Sequence, residues 1–594
     1  MRQERKLRFI AASVMCIALA LAFTSTLSDA PIVDEVPHIG AGYSYIARGD
    51  MRLNPEHPPL IKDLAGIALA IINPQTSVFS TSSWTTDVNG QWQFGRDLIF
   101  ESDRSPDTIK VVARLPMLMV FAFACWLVWK WARERYGDVA AIMSLTLLAF
   151  SPTILAHGRL VTTDMGAATG ILAATYCFIK FLRKQNTHTF WWAVLSLGLA
   201  LLAKFNTVLL GPYFVIAALI YGFQFKFRSL TAWKAGARLV ALTVLLGATS
   251  FVAVVWPIYI AHTWNYPAER QRSDTASILG GYPDSLLKTT LLWASDKPII
   301  RGAAQWGLGL AMVQQRSAGG NTIYWMGRVV RQGGPGYFPT VYFIKEPLAW
   351  WILVSVALTA LIFHRRRQPD QPKRSNFYRD NLEEWMWLLW LAIYWIISIR
   401  STLNIGVRHL LPVYPFTILL VTGRISILYE WLRHNDKQRH RIVAVVLAIL
   451  LGWYAFESAR IWPNYITYFN QVVGGSSGGY RFVADSNLDW GQDIKRLGVW
   501  MESNNIEKMS LDYFGWSDPS YYLGTRYLYT TGRYWKDAKD FIARNQSGGW
   551  IAISATFFLE ATNKTEPGAS TYRWLMDYEP TAVIGNSIFV WHLE

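Results

Sequence analysis

Two acids, Asp34 and Glu35, stand side by side just after the first apolar run, and Glu56-His57-Pro58-Pro59 follows about twenty residues later. Few other stretches of so apolar a chain carry as many ionisable groups beside a hydrophobic run. A carboxylate placed there can take a proton from an attacking hydroxyl or amine. Side chains of neighbouring residues diverge, so one of the two acids reaches a reacting group, and Asp34 is favoured. Glu56 and His57 are types that hold a metal or a phosphate, and Pro58-Pro59 stiffens the backbone behind them. The plain alternative is a solvated connector, because so short a motif has low specificity.

Other ionisable residues sit at the ends of apolar runs. Asp164 lies in LAHGRLVTTDMGAA with His157 and Arg159 just ahead of it. A charge at a membrane span is costly unless it faces a cavity or a partner. A Thr-Asp pair before an apolar run is equally a helix N-cap. Lys204 in LLAKFN and the pair Arg408-His409 in NIGVRHLLPVYP are the cations that suit an anionic group. A guanidinium grips phosphate through two parallel hydrogen bonds. Arg114 and Lys345, also at span ends, read as snorkelling side chains. In the tail, Asp485, Asp489 and Asp493 read as structural acids, with no calcium-loop pattern around them.

The elements that must position these groups are membrane helices. The chain is 52% hydrophobic and 16% charged, with 29 Trp; soluble domains carry about 25% charged residues, and Trp favours the bilayer interface. Eleven apolar runs suggest crossings: 10–27, 111–131, 138–156, 164–182, 190–203, 207–222, 238–258, 341–363, 383–400, 409–429 and 441–460. The first is longer than most signal-peptide cores, so a retained helix is expected, although Ser28-Asp29-Ala30 resembles a loose cleavage site. The net charge of +16 falls largely in loops at Lys130–Arg135, Lys180–Lys184, Lys226–Arg238, Arg365–Arg379 and Arg433–Arg441. That is the positive-inside pattern, and it argues against a nucleic-acid partner, which needs a basic face on a soluble module. It puts the N-terminus in the cytoplasm and the segments 28–110, 259–340 and 461–594 outside. Leu60–Ile72 is expected to lie in the interface. Residues 1–460 would form the membrane domain, and 461–594, with alternating runs such as MSLDYF and WIAISATFFL, a small extracytoplasmic α/β or α+β domain. Cys16, Cys125 and Cys177 lie in apolar runs and read as buried bystanders.

These groups fit sugar transfer from a lipid phosphate. The carboxylate serves the acceptor, the cations serve the departing phosphate, and apolar helix faces hold the lipid tail. Membrane lipids are the surroundings. A flippase for a lipid-linked sugar, or a non-catalytic glycan-binding membrane protein, is the alternative. A transporter calls for ionisable groups at mid-membrane and repeated halves, and the acids here cluster on one side.

In order along the chain, DEVPHIGAGYSYIARGD, PEHPPL, ARLP, SPTILAHGRLVTTDM, GLALLAKFNTVLLGP and RHLLPVYP resemble the GT-C superfamily, and within it the glycosyltransferase family 39-like group of protein O-mannosyltransferases and aminoarabinose transferases. The resemblance covers residues 34 to 415. It implies an inverting transfer outside the cytoplasm, from a polyprenyl-phosphate sugar to a protein, lipid or glycan acceptor. It implies Asp34 as the catalytic acid of the first outer loop, Asp164 as the acid of the TTDM-like turn, and Lys204 as the lysine near the donor phosphate. It matches Glu56 to a divalent-metal-binding Glu of aminoarabinose transferases, with His57 where that group has Lys; the group's second metal ligand has no counterpart here. PNYITYFNQVVGG and ADSNLDWGQDIKRL in the tail resemble bacterial members with a C-terminal outer domain, which implies the bacterial inner membrane.

Overall fold

The computed structural model describes residues 2–223, 230–367, 381–532, 534–563 and 572–594. Among them, eight helices are long and apolar enough to cross a membrane: Glu4–Ser25, Pro106–Tyr136, Thr163–Arg183, Phe205–Gly222, Trp233–His262, Leu382–Arg400, Val407–Asn435 and Lys437–Ile461. A ninth is counted if Tyr337–Lys345 and Leu348–Ile362, bent by 108° at their break, are taken as one span. The protein is therefore a helical polytopic membrane protein with eight or nine candidate spans, against the eleven expected. The difference is one of length. Asp138–Ala149 and Thr187–Ala203 are helices of 12 and 17 residues, short of the roughly 20 that cover about 30 Å of hydrocarbon.

Ion pairs mark one end of the bundle. Arg135, closing Pro106–Tyr136, reaches Glu384 at 2.8 Å, and Arg183, closing Thr163–Arg183, pairs with Glu383. Both glutamates open Leu382–Arg400. The basic loops at Lys226–Arg238 and Arg365–Arg379 lie partly or mostly outside the described residues.

At the other end, the 28–110 segment folds into short helices. Glu35–Arg48 packs on Leu60–Ile72 through glycines that admit backbone contact: a Cβ on Gly42 would strike the Lys62 carbonyl, and one on Gly66 the Gly42 carbonyl. Leu60–Ile72 is a helix as expected, with Ile67 and Ile71 exposed.

The C-terminal residues form a mixed five-stranded sheet, ordered β4-β3-β5-β7-β6. The strands are β3 (Met509–Asp512), β4 (Tyr527–Tyr529), β5 (Trp550–Ser554), β6 (Ala582–Ile584) and β7 (Ile588–His592). β3 is parallel to both β4 and β5, while β7 runs antiparallel to β5 and β6. The Gly-rich segment before residue 339 contributes a hairpin, β1 (Ile323–Trp325) and β2 (Arg328–Val330). Its two turn residues, Met326 and Gly327, both have positive φ (48° and 81°), as a tight hairpin turn requires.

The sheet docks directly on the first loop. Ala30 and Val33 N–H donate to the Gln492 and Trp490 carbonyls, both at 2.9 Å. Beneath them Asp29 is a buried hub: Arg159 and Arg496 pair with it, and Arg114 lies 3.7 Å away. The first loop and the C-terminal domain thus share one end of the bundle. Of the three cysteines only Cys125 is buried; Cys16 is exposed on the first helix.

Candidate active site

Four charges from four distant stretches meet at this end. Lys204 Nζ lies 2.5 Å from Asp164 Oδ1. Asp164 Oδ2 is 3.8 Å from Arg408 Nη1, which is 2.5 Å from Asp34 Oδ2. The order is cation, acid, cation, acid.

Local backbone explains each placement. Asp34 is the residue just before Glu35–Arg48, where the chain turns into the helix. Asp164 lies in the first turn of Thr163–Arg183. Thr162 holds the cap position, so the carboxylate is left to face the helix's positive end and the cations. Lys204 is extended (φ −160°, ψ 145°) between Thr187–Ala203 and the tight turn Phe205–Leu209. Arg408 follows Gly406, whose φ of 130° suits glycine and where a Cβ would strike Ser486 Oγ. Val407 N–H is held by Asn487 Oδ1 at 2.9 Å. The guanidinium of Arg408 rests 4.2 Å from the centre of the Trp490 ring, a cation–π contact supplied by the C-terminal residues.

The group lines a cavity of about 210 Å³. Its wall continues through Phe205, Leu209, Ile397 and Phe338, and also holds His38, Glu56, His57, Arg316 and His409. His409 stacks on Phe338 with ring planes 18° apart. A second cavity of about 290 Å³ shares Asp34, His38, Glu56, His57, Arg316 and Arg408 and is closed by residues of the C-terminal domain. Burial pushes the Asp34 carboxyl up, but the charge and hydrogen bond of Arg408 outweigh it and hold it below the usual carboxylate range. Burial lowers both His38 and His57, His57 strongly, so both are neutral imidazoles at pH 7. Nδ1 of His38 donates to the Val161 carbonyl at 2.8 Å, which leaves Nε2 as an acceptor.

Other expected residues lie elsewhere. Glu35 is fully buried and accepts from Arg114 Nε at 2.7 Å, Arg114 Nη2 at 2.5 Å, Val161 N at 2.9 Å and Ile32 N at 3.1 Å. It is a clamp for the first loop and does not line either cavity. Arg159 lines neither cavity, because Asp29 takes its charge. His157 packs edge-on near Trp490, at 5.9 Å, behind the cavity wall. Arg114 and Lys345 do not snorkel: both are buried, and Lys345 donates to the Ile466 and Asn487 carbonyls at 2.7 and 2.8 Å. Glu56 and His57 face the cavities, but Glu56 accepts from Gln91 at 2.6 Å and Asn89 at 3.4 Å. His57 Nδ1 is buried without a partner, and its ring stands perpendicular to His38 at 5.0 Å. Among the described residues no three His, Cys, Asp or Glu side chains form a set that would hold a metal ion, so the donors present do not fit the divalent metal suggested by the resemblance.

Sequence reading passed over His38, Arg316 and Trp490. His38 has a sequence signal, a lone ionisable ring one helical turn from Asp34. Arg316, near the end of Ile300–Gly319, and Trp490 have none without the fold.

The fold of the S. cerevisiae protein O-mannosyltransferase Pmt1-Pmt2 complex bound to the sugar donor is similar: TM-score 0.54 at 12% identity, over 77% of this chain and 90% of that one. The archaeal oligosaccharyltransferase AglB of Archaeoglobus fulgidus matches at TM-score 0.47 and 12% identity, over 97% of this chain and 76% of its own. ArnT of Cupriavidus metallidurans, bound to undecaprenyl phosphate, matches at 0.28 and 12%, over 98% and 97%. Only the first is close enough to support the fold. No curated protein matches the chain in sequence. Residues 107–251 match the family described as dolichyl-phosphate-mannose-protein mannosyltransferase. The match spans under half of the chain, so it marks a likeness to that family over this stretch.

Proposed function

We propose that the protein transfers a sugar from a polyprenyl-phosphate donor to an acceptor outside the cytoplasm of a bacterium, with inversion at the anomeric carbon. The observation that carries this reading is the alternating row Lys204–Asp164–Arg408–Asp34 on one cavity wall. Each cation is held by an acid until a phosphate takes its place. In the transfer, an acceptor oxygen or nitrogen attacks the anomeric carbon and the bond from that carbon to the phosphate oxygen breaks. The electron pair stays on the phosphate, where Lys204 and Arg408 stabilise it. The acceptor proton goes to Asp34, whose lowered pKa keeps it ionised. Asp164 orients both cations, and His409 and Arg316 flank the phosphate. An apolar groove of about 390 Å³, lined by Leu60, Ile61, Leu64, Gly166, Gly170 and Leu199, suits the polyprenyl chain. It runs along the helix that begins beside Asp164.

Counting the bent pair and the two short helices as crossings gives eleven, which would set these groups on one face of the inner membrane. Thr187–Ala203 returns from Arg183 to Lys204, which meets Asp164 at the start of the preceding helix, so it covers the same thickness despite its 17 residues. The basic loops then lie in the cytoplasm with the N-terminus, and the C-terminal domain lies outside. The test is transfer from a radiolabelled polyprenyl-phosphate sugar by Asp34→Asn protein. A fall of roughly a thousandfold is expected for a lost general base, with donor binding retained. Turnover at the wild-type rate would rule out Asp34 as the base.

A further inference from the structure

The second cavity shares Asp34 with the first but not Lys204, and takes part of its wall from the C-terminal domain. Its walls are Asn54, Glu56, Gln91 and Trp92 from the first loop, and Asp485, Trp490, Phe514 and Trp516 from the tail. Trp92 and Trp516 stack across the seam, 5.0 Å apart with planes 27° from parallel. The seam is pinned next to that stack: Arg96 reaches Asp518 at 3.1 Å, and Ser517 Oγ donates to the Pro31 carbonyl at 2.8 Å. The loop carrying Phe514 and Trp516 follows the carboxyl end of β3, which lies between the parallel strands β4 and β5. Crevices at such strand ends are where open α/β sheets bind ligands.

Asp485 separates itself from the other tail acids. Asp489 accepts from Thr556 N–H at 3.0 Å, and Asp493 from Ser587 Oγ at 2.6 Å, so both are spent on structure. Asp485 is bonded by the Ser486 N–H next to it and otherwise faces the cavity. Its backbone is left-handed, with φ 55°, a conformation that is uncommon outside glycine and informative where it occurs.

Resting on the glycosyl-transfer reading above, we propose that this cavity is the acceptor site and that the acceptor is an uncharged sugar unit of a glycan. Aromatic rings offer flat apolar faces to the C–H side of a pyranose, while Asp485 meets its hydroxyls; Asn54 and Gln91 are bonded to each other and shape the wall. Three acids (Asp34, Glu56 and Asp485) face two guanidiniums, Arg316 and Arg408, and both histidines are neutral. Such a lining has no strong net charge to attract a phosphorylated or strongly cationic acceptor. The volume is at the small end for ligand pockets and fits a terminal sugar. Asp34, shared by both cavities, then takes the proton of the acceptor hydroxyl as its oxygen bonds to the donor's anomeric carbon and the phosphate departs.

The test is saturation-transfer NMR on the full chain in nanodiscs. The probes are methyl pyranosides of glucose, galactose, mannose and N-acetylglucosamine, with a Ser/Thr tripeptide alongside. At least one glycoside is expected to bind, and Trp516→Ala or Asp485→Asn to weaken it about tenfold, the scale of one lost ring or hydrogen-bond contact. Trp92→Ala, on the other side of the seam, should act likewise. Binding of undecaprenyl phosphate to the same samples reports folding, and its loss in unmutated protein would count against the donor reading alone. Absence of glycoside binding, glycoside binding indifferent to all three substitutions, or tripeptide binding abolished by them would overturn the acceptor assignment.

Discussion

Arg408 is the residue on which the two acids converge, and its geometry sets its expected behaviour. Asp34 holds Nη1 at 2.5 Å, Trp490 lies under the guanidinium, and Nε is buried without a partner. A buried unpaired donor costs about 1–3 kcal/mol, so a phosphate oxygen that satisfies it gains from doing so. Arg408→Lys keeps the charge but loses the planar fork. We expect it to weaken polyprenyl-phosphate binding by about tenfold, since 1.4 kcal/mol is one decade, as measured by titration in nanodiscs. Trp490→Ala removes a cation–π contact of about 1–2 kcal/mol when desolvated. Donor affinity should fall by a similar factor although Trp490 need not touch the donor, and Trp490→Phe should restore part of it. No change in donor affinity for Trp490→Ala would sever the C-terminal domain from the phosphate site.

At the scale of elements, the first loop is held between the bundle and the sheet by two buried acids. Glu35 clamps it to Arg114, and Asp29 joins Arg114, Arg159 and Arg496. Removing one partner from a buried pair costs about 3–5 kcal/mol, so Glu35→Gln should lower the thermal midpoint more than Asp34→Asn does. Burial raises Asp29, but Arg159, Arg496 and Arg114 bring it down to about 2. A carboxylate lowered on folding adds stability that is present in full above its unfolded pKa of roughly 4 and is lost as pH falls through about 2. Thermal scans between pH 5 and 2 should show this loss, and Asp29→Asn should flatten that part of the curve. The adjacent pair Asp34 and Glu35 also marks the limit of what local sequence can say. Asp34 and Glu35 are adjacent and chemically alike, and nothing local says which one turns inward; the answer comes from Arg114, 79 positions beyond Glu35. Arg159 resembled a phosphate ligand for the same reason, because its partner Asp29 lies 130 positions earlier.

At the scale of the molecule, hydropathy alone located most of the bundle, since a run of about 20 apolar residues has few other uses. It also placed Asp164, Lys204 and Arg408 correctly at span ends, where a charge needs a reason. The short helices Asp138–Ala149 and Thr187–Ala203 were harder, because their apolar runs do not reveal where a helix breaks. The sheet's strands were visible as alternating runs, but its order was not, because β5 pairs with β3 and β7 across long stretches of chain. The role of the tail at the site was hidden as well: Trp490 and Asp485 acquire it only by docking on residues 30–33. The central claim is that the row from Lys204 to Asp34 is the seat of the donor phosphate. It is tested most directly by a cryo-EM structure of the protein with bound polyprenyl phosphate. The account predicts the phosphate within about 3 Å of both Lys204 Nζ and the Arg408 guanidinium, as charge-assisted bonds require, with Asp34 released from Arg408. A phosphate bound away from both cations, with the Asp34–Arg408 pair still closed, would contradict it.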